Sequence, residues 1–177
     1  MIKSKKGYTL AEVLIVLALL GILAAILLPA VVRVRPDREK MMFKKAYHTI
    51  ERVVYELVND EDLYPSKEGE YKGFDNLEAA NYNGNTYSGN TKFCGLFAQH
   101  VNTTSDVISC SDEKSTYEIT TTDGIVWDLP ISNFSDTVNI YVHINGSIMT
   151  IKLKPNGKMY VEGTKEQNYL KSNKIIN

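Results

Sequence analysis

KKGYTLAEVLIVLALLGILAAILLPAVV, residues Lys5 to Val32, decides how the chain is organised. From Val13 onward it is apolar for 20 residues, interrupted only by Gly21 and Pro29. A helix of that length rises about 30 Å, the thickness of the hydrocarbon core of a bilayer. A helix in a globular core is seldom apolar on every side for so long. The stretch therefore predicts a membrane-spanning helix.

Basic residues flank both ends of this stretch, so charge does not decide its orientation in a membrane. They are Lys3, Lys5 and Lys6 before it, and Arg33, Arg35, Arg38 and Lys40 after it. An uncleaved signal anchor is one interpretation. A cleaved secretory signal fits less well, because the apolar run exceeds the usual length of roughly 7–15 residues and no small-x-small cleavage site follows it.

Glu12 is a carboxylate at the entrance to the apolar run, four residues after Tyr8. An ionised side chain at the centre of a bilayer costs about 2.5–3.5 kcal/mol, and less near the interface. Glu12 therefore either reaches the lipid headgroups or finds a charged partner. If the chain were cut before Tyr8, the new α-amine of one subunit would neutralise Glu12 of its neighbour. Such a pair would set the axial offset between packed helices.

The segment GYTLAE at residues 7–12, followed by an apolar helix, resembles the N-terminus of type IV pilins and of the pseudopilins of type II secretion systems. The resemblance covers roughly residues 1–58. It includes a short basic leader, a glycine before the cut, an aromatic residue after it and the glutamate. Gly21 and Pro29 match helix-weakening positions of that family. Tyr8 is a departure, since the family's commonest residue there is phenylalanine.

The resemblance implies that a membrane-embedded prepilin peptidase cleaves between Gly7 and Tyr8 and then N-methylates Tyr8. It implies a single span in the inner (cytoplasmic) membrane, with the N-terminus in the cytoplasm and the head in the periplasm or outside the cell. The implied partners are copies of the chain or other pilins in a helical filament, an inner-membrane assembly platform, and membrane lipid. The implied role is that of a structural subunit.

Two kinds of filament remain open, a type II secretion pseudopilus and a type IV pilus. DNA-uptake and adhesive pili use the same assembly, but the net charge of −1 gives no support for nucleic-acid binding. The alternative from another class is a single-pass, membrane-anchored extracellular binding domain that does not polymerise.

Composition and periodicity divide the chain into four parts. They are a leader at 1–7, a transmembrane or filament-core helix at 8–34, an amphipathic helix at 35–60 and a globular head at 61–177. Gly21 and Pro29 predict a kink or a local loosening of the first helix, since an interior proline costs about 3 kcal/mol. Pro36 predicts a second bend or a fresh helix start, with one long bent helix from Thr9 to about Asn59.

An apolar stripe at helical spacing marks the second part of this helix. Its members are Phe43, Ala46, Tyr47, Ile50, Val53, Val54, Leu57 and Val58. The stripe lasts only about two heptads, so it favours packing on the chain's own sheet over a coiled coil. Residues 60–92 are rich in glycine and asparagine and predict a long loop with a helical turn around Asn76–Ala80. A short helix is expected at Phe93–Val101.

Cys94 and Cys110 enclose 15 residues in the polar half of the chain. Outside the cytoplasm two cysteines at this spacing are expected to form a disulfide, worth about 3 kcal/mol in the chain-entropy model. A pair of buried thiols is the alternative. Two cysteines without a nearby pair of histidines are too few ligands for a zinc site.

The C-terminal third alternates apolar and polar residues between turn signals, which predicts an antiparallel meander. Its predicted parts are a hairpin of Thr116–Thr121 and Ile125–Leu129, strands over 138–144 and 149–153 joined by Asn145-Gly146, and a last strand at 158–162. Asn145-Gly146 favours a type I′ turn. The tail from Thr164 is polar and is expected to cover an edge or fray. The predicted fold is α+β, with a long N-terminal helix on an antiparallel meander.

The sequence shows no motif that points to catalysis, so we expect that the chain is not an enzyme and needs no cofactor or metal. His48, His100 and His143 lie far apart, and no nucleophile elbow or phosphate-binding glycine loop appears. Asp123, Asp128 and Asp136 fit turn carboxylates better than a calcium loop. A deep pocket lined by His100 or His143 and by carboxylates would favour an enzyme instead.

Overall fold

A computed structural model describes residues 8–33, 38–66, 72–105 and 110–171, with the side chains of residues 27–33 excepted. The chain divides into two compact units, Met1–Arg38 and Glu39–Asn177. The second unit is called the head below.

The described part of the first unit is one helix, α1, which runs from Leu10 to Arg33. The helix continues through both Gly21 and Pro29. Its apolar side chains are exposed along the whole described face, from Leu10 to Ile26. The end of the predicted span, residues 27–32, lies outside the described side chains. Within the described residues, no helix has the length and apolar character needed to cross a membrane.

The amphipathic helix α2 spans Arg38–Asn59, and from Glu39 onward it forms the first element of the head. It buries the predicted stripe, namely Phe43, Ala46, Ile50, Val53, Val54 and Leu57. Tyr47 and Val58 are half-buried at its margins. Residues 34–37 lie outside the described chain, so the bend or fresh start at Pro36 and the single long helix stay predictions.

The helical turn predicted around Asn76–Ala80 is wrong. Ala80 begins a strand, β1 (Ala80–Tyr82), which pairs antiparallel with β2 (Asn85–Tyr87). Asn83 and Gly84 connect them with φ angles of 50° and 79°. Both angles are positive, as a type I′ turn requires, and this turn outweighs the helix propensity of the preceding Leu-Glu-Ala-Ala run.

Helix α3 follows a short 3₁₀ turn and spans Lys92–His100, within one residue of the prediction at each end. A disulfide joins Cys94 in this helix to Cys110, with 6.2 Å between their Cα atoms. The Cys94 side chain is buried. The bond ties α3 to the segment that leads into the sheet.

Five antiparallel strands form the predicted meander in the simple order β3-β4-β5-β6-β7. They are β3 (Thr116–Thr120), β4 (Val126–Pro130), β5 (Val138–Ile144), β6 (Ser147–Leu153) and β7 (Met159–Tyr160). Asn145 and Gly146 have positive φ angles of 50° and 82°, which confirms the predicted turn between β5 and β6. The last strand is shorter than expected.

The part of the polar tail that the structure describes does not fray, because residues Thr164–Lys171 form a helix, α4. Residues 172–177 lie outside the described chain. Lys165 pairs with Glu39 in the first turn of α2. The Tyr169 ring lies 6.2 Å from the ring of Phe43. These contacts dock a polar segment whose sequence carries no apolar stripe.

The core of the head lies between the α2 stripe and the inner face of the sheet. Trp127, Ile140 and Ile151 come from three neighbouring strands and are fully buried. The indole N–H of Trp127 donates to Thr121 Oγ1 at 3.2 Å, so its buried polar atom is satisfied. The fold class is α+β and pilin-like in architecture, as predicted.

Ile151 and Ile148 provide a matched test of this core, because both lie on β6 and point to opposite faces of the sheet. Ile151 is 0% exposed and Ile148 is 61% exposed. We expect Ile151→Ala to lower the free energy of unfolding by about 2–5 kcal/mol and Ile148→Ala to change it by about 0.5 kcal/mol or less. Urea unfolding followed by Trp127 fluorescence measures both. Equal losses would contradict the assignment of the faces.

Candidate functional site

The start of α1 is a capping box built by Thr9 and Glu12. The Thr9 hydroxyl oxygen accepts from the Glu12 backbone N–H at 3.3 Å. In return, Glu12 Oε2 accepts from the Thr9 backbone N–H at 2.8 Å and from the Thr9 hydroxyl at 2.9 Å. Backbone N–H groups at a helix start have no intrahelical partner, and this exchange satisfies two of them.

The capping box was not predicted, although its Thr-x-x-Glu spacing is visible in the sequence. Sequence reasoning assigned Glu12 to a neighbouring subunit and left Thr9 without a role. The structure gives the carboxylate a partner inside its own chain.

Tyr8 and Glu12 lie on one side of the helix start. They line a shallow apolar groove together with Val13, Val16 and Leu17. Tyr8 is 87% exposed and precedes the first helical residue. An exposed carboxylate held by Thr9 at the end of an apolar groove can accept a cation from outside the chain.

The remaining predicted site residues of the first unit are placed as follows. Gly7 lies outside the described residues. Gly21 sits within α1 with open space around the position of a Cβ, so no contact inside the chain explains a glycine there. Pro29 belongs to α1, but its side chain is not described. The roles of Gly7, Tyr8, Glu12, Gly21 and Pro29 in processing and assembly stay predictions.

A shallow cavity of about 300 Å³ in the head includes His100 and Asp123. His100 Nδ1 donates to the Leu96 carbonyl oxygen at 2.7 Å, and its ring stacks on Tyr82 with 4.9 Å between centroids. Asp123 accepts from Lys45 Nζ at 2.8 Å. These contacts hold the end of α3 and the β3–β4 turn.

The three histidines are not brought together. His143 Nε2 lies 3.0 Å from Asp128 Oδ2 on the outer face of the sheet, and His48 contacts Glu51 on α2. In the ranges that the structure describes, no three potential metal ligands cluster. Asp123 lies in the β3–β4 turn, as expected, and pairs with Lys45. Asp128 lies in strand β4 and not in a turn, and it pairs with His143.

Helix α1, with a capped glutamate at its start, and the head, with α2 on an antiparallel meander, are each pilin-like in architecture. Residues 2–28 match the family model described as the prokaryotic N-terminal methylation motif. The match is consistent with the type IV pilin and pseudopilin family and confirms the recognition of the N-terminal segment. Neither the comparison with curated proteins nor that with solved structures gave a match.

Thr9→Val removes the hydroxyl that accepts the Glu12 backbone N–H, whereas Thr9→Ser keeps it. Loss of such a cap costs about 0.5–2 kcal/mol, so the Glu12 amide of the valine variant should exchange roughly twofold to thirtyfold faster. Amide hydrogen exchange of the chain in detergent micelles measures this. Equal exchange in the two variants would show that the hydroxyl does not cap the helix.

Asp123 makes part of the head's stability depend on pH. Partial burial raises its pKa, but hydrogen bonds from Lys45, Thr121 and the Ile125 N–H outweigh this, and the net pKa lies below its usual value. A carboxyl whose folded pKa is lowered stabilises the fold above its unfolded pKa, and this contribution disappears as pH falls through the folded pKa.

We therefore expect Asp123→Asn to cost about 1–2 kcal/mol at neutral pH and to cost less as the solution is acidified. Urea unfolding at a series of pH values measures the difference from the unmodified chain. Lys45→Met should flatten the same pH dependence, since Lys45 donates the charged hydrogen bond. A cost that stays constant with pH would contradict the assignment.

Proposed function

We propose that the chain is the precursor of a filament subunit, a prepilin or pseudopilin. It is cleaved after Gly7, N-methylated on Tyr8 and assembled into a type II secretion pseudopilus or a type IV pilus. The observation that carries the proposal is the methylation motif at residues 2–28, which leads directly into a helix whose apolar side chains are exposed.

The exposed apolar surface of α1 must be shielded from water by lipid or by another protein. Burial is worth about 25 cal/mol per Å² of apolar area, and soluble monomers rarely leave a continuous apolar surface open. Lipid of the inner membrane covers α1 before assembly, and the helices of neighbouring subunits cover it in the filament. The N-terminus is then cytoplasmic, where the peptidase acts, and the head is periplasmic or extracellular.

In this scheme, Glu12 determines how a neighbouring subunit packs against the chain. Its carboxylate is exposed and held at the helix start by Thr9. Cleavage creates a cationic amine on Tyr8, which remains cationic after a single methylation. Inside the packed helices the amine of one subunit pairs with Glu12 of the next, because an unpaired charge in an apolar interior is costly.

The head has a structural and surface-presenting role rather than a catalytic one. His100, Asp123 and Asp128, which line cavities of the head, are each bound to another group of the head. The Cys94–Cys110 disulfide suits an oxidising compartment outside the cytoplasm. The partners in this scheme are a prepilin peptidase, the assembly platform, and copies of the chain or other pilins.

Mass spectrometry of the mature N-terminus tests the processing step. The chain is recovered from membranes of a host that contains a prepilin peptidase. We expect a chain that begins at Tyr8 and carries one added methyl group on its α-amine. A chain that keeps residues 1–7 would overturn the proposal.

Glu12→Gln tests the assembly step without removing the cap, since glutamine also serves in a capping box. We expect cleavage to continue and incorporation into sheared filaments to fall by more than about tenfold, which corresponds to about 1.4 kcal/mol. Filaments formed equally well by this variant would exclude the charge pair. If neither the unmodified chain nor the Glu12→Gln variant enters filaments, the result would favour the alternative function, a membrane-anchored binding domain that does not polymerise.

A further inference from the structure

Helix α2 exposes two large apolar side chains on the side that faces away from the core, which we call its outer face. Met41, near the start of the helix, is 55% exposed, and Tyr55, near its end, is 70% exposed. They are 14 positions apart, which is two heptads, so they share one side of the helix and lie about 21 Å apart along it. In the described part of the head, the only other large apolar side chain with similar exposure is Ile148 on the sheet.

Tyr55 borders a groove between α2 and the turn that joins β6 to β7. The groove has a volume of about 280 Å³, and Tyr55, Val58 and Met159 are part of its apolar lining. Glu51 and Lys158 also line it, and their opposite charges offset each other. A flexible, unbranched apolar side chain adapts to such a groove, and the sulfur of a methionine makes favourable contacts with aromatic rings.

Charges of opposite sign follow the two exposed apolar residues. Lys44 and Lys45 come three and four positions after Met41, on the next turn of the outer face. The segment 56–62, directly after Tyr55, contains four carboxylates and no basic residue. The carboxylates are Glu56, Asp60, Glu61 and Asp62. The start of α2 is therefore basic, and its end together with the turn that follows is acidic.

Several of these charges also have partners within the head. The pairs are Lys45–Asp123, Arg52–Glu56 and Lys72–Glu61. The side chains of Lys45 and Glu56 nevertheless remain 60% and 42% exposed. An ammonium has three donors and a carboxylate has about four acceptor sites, so each can contact a second group of opposite charge without losing the first.

We propose that the outer face of α2 is a contact between copies of this chain, in which Met41 of one copy enters the groove beside Tyr55 of the next. Lys44 and Lys45 of the first copy then lie along the acidic segment 56–62 of the second. This inference rests on the proposed assembly into a filament, which gives all copies the same direction because each one enters from the same membrane.

The order of the charges along α2 favours copies that run in the same direction. In that arrangement Lys44 and Lys45 align with the residues that follow Tyr55 by three and four positions, between Glu56 and Asp60. In the opposite direction they would align with Arg52 and Glu51, whose charges cancel. The contact joins different patches of the two copies, so it is heterologous and repeats without closing.

Disulfide crosslinking between copies tests the contact in the full chain. The variant carries both Met41→Cys and Tyr55→Cys. Within one copy these positions lie about 21 Å apart, whereas a disulfide spans at most about 7 Å between Cα atoms. A bond between them therefore joins two copies. Because each copy offers both positions, we expect oxidation of sheared filaments to give dimers, trimers and higher multimers on a non-reducing gel.

Two kinds of control accompany this variant. Each single-cysteine variant should stay monomeric, because the contact joins two different positions. Ile148→Cys combined with Tyr55→Cys is the matched pair, since Ile148 is similarly exposed but lies on the sheet, and it should also stay monomeric. Filaments that form but give no multimers with Met41→Cys and Tyr55→Cys would overturn the contact and leave the proposed assembly intact. Absence of the unmodified chain from filaments would overturn both.

Charge reversal tests the orientation of the copies. We expect Lys44→Glu and Asp62→Lys each to lower the yield of multimers at least about threefold in the double-cysteine variant, because each brings like charges together. The two reversals combined should restore the yield to within about twofold, since opposite charges meet again. Lys114→Glu, at an exposed lysine before β3, should leave the yield unchanged. Equal yields from the single reversals and from their combination would overturn the proposed alignment.

Discussion

The head depends on the contact between the apolar stripe of α2 and the inner face of the meander. Phe43, Ile50 and Leu57 bury one side of a helix that is otherwise polar. Trp127, Ile140 and Ile151 bury one side of a sheet whose other side is polar. Neither surface is stable alone in water, since exposed apolar area costs about 25 cal/mol per Å². The first unit has the opposite character, because the described apolar side chains of α1 are exposed.

The packing of α2 on the sheet also brings polar side chains into contact with one another. Trp127 donates to Thr121, Thr121 donates to Asp123, and Asp123 accepts from Lys45, which ties the β3–β4 turn to α2. Where α3 meets the loop that contains Tyr64, the buried polar groups have fewer hydrogen-bond partners. Among the described side chains, the buried hydroxyl of Tyr64 has no partner, and Lys92 lies over the same ring. Buried polar groups of this kind need an explanation in the chemistry of the protein.

Glu12 connects the local structure of α1 with the proposed assembly. As the partner of Thr9 it starts the helix, and as a carboxylate it offers a charge at the edge of an apolar surface. Capping the helix requires a hydrogen-bond acceptor, whereas pairing with a cation requires a negative charge. A glutamate at this position supplies both, and its fixed position reduces the conformational entropy that pairing would cost.

The sequence by itself determined the elements whose signals are local. The α2 stripe, the alternation of the strands, the Asn145-Gly146 turn and the methylation motif all lie within short windows, and periodicity is enough to find them. The β1–β2 hairpin was missed because good helix formers preceded its Asn-Gly turn. The helix α4 was missed because it is held by Glu39 and Phe43 rather than by a stripe of its own.

Only the tertiary structure decided which distant polar groups meet. Lys45 with Asp123, Asp128 with His143, and Asn76 with Lys92 join residues whose spacing carries no signal. Their distances follow from the register of the strands and the docking of the helices. That docking is a cooperative result of burying apolar area across the whole head, so no short window of sequence contains it.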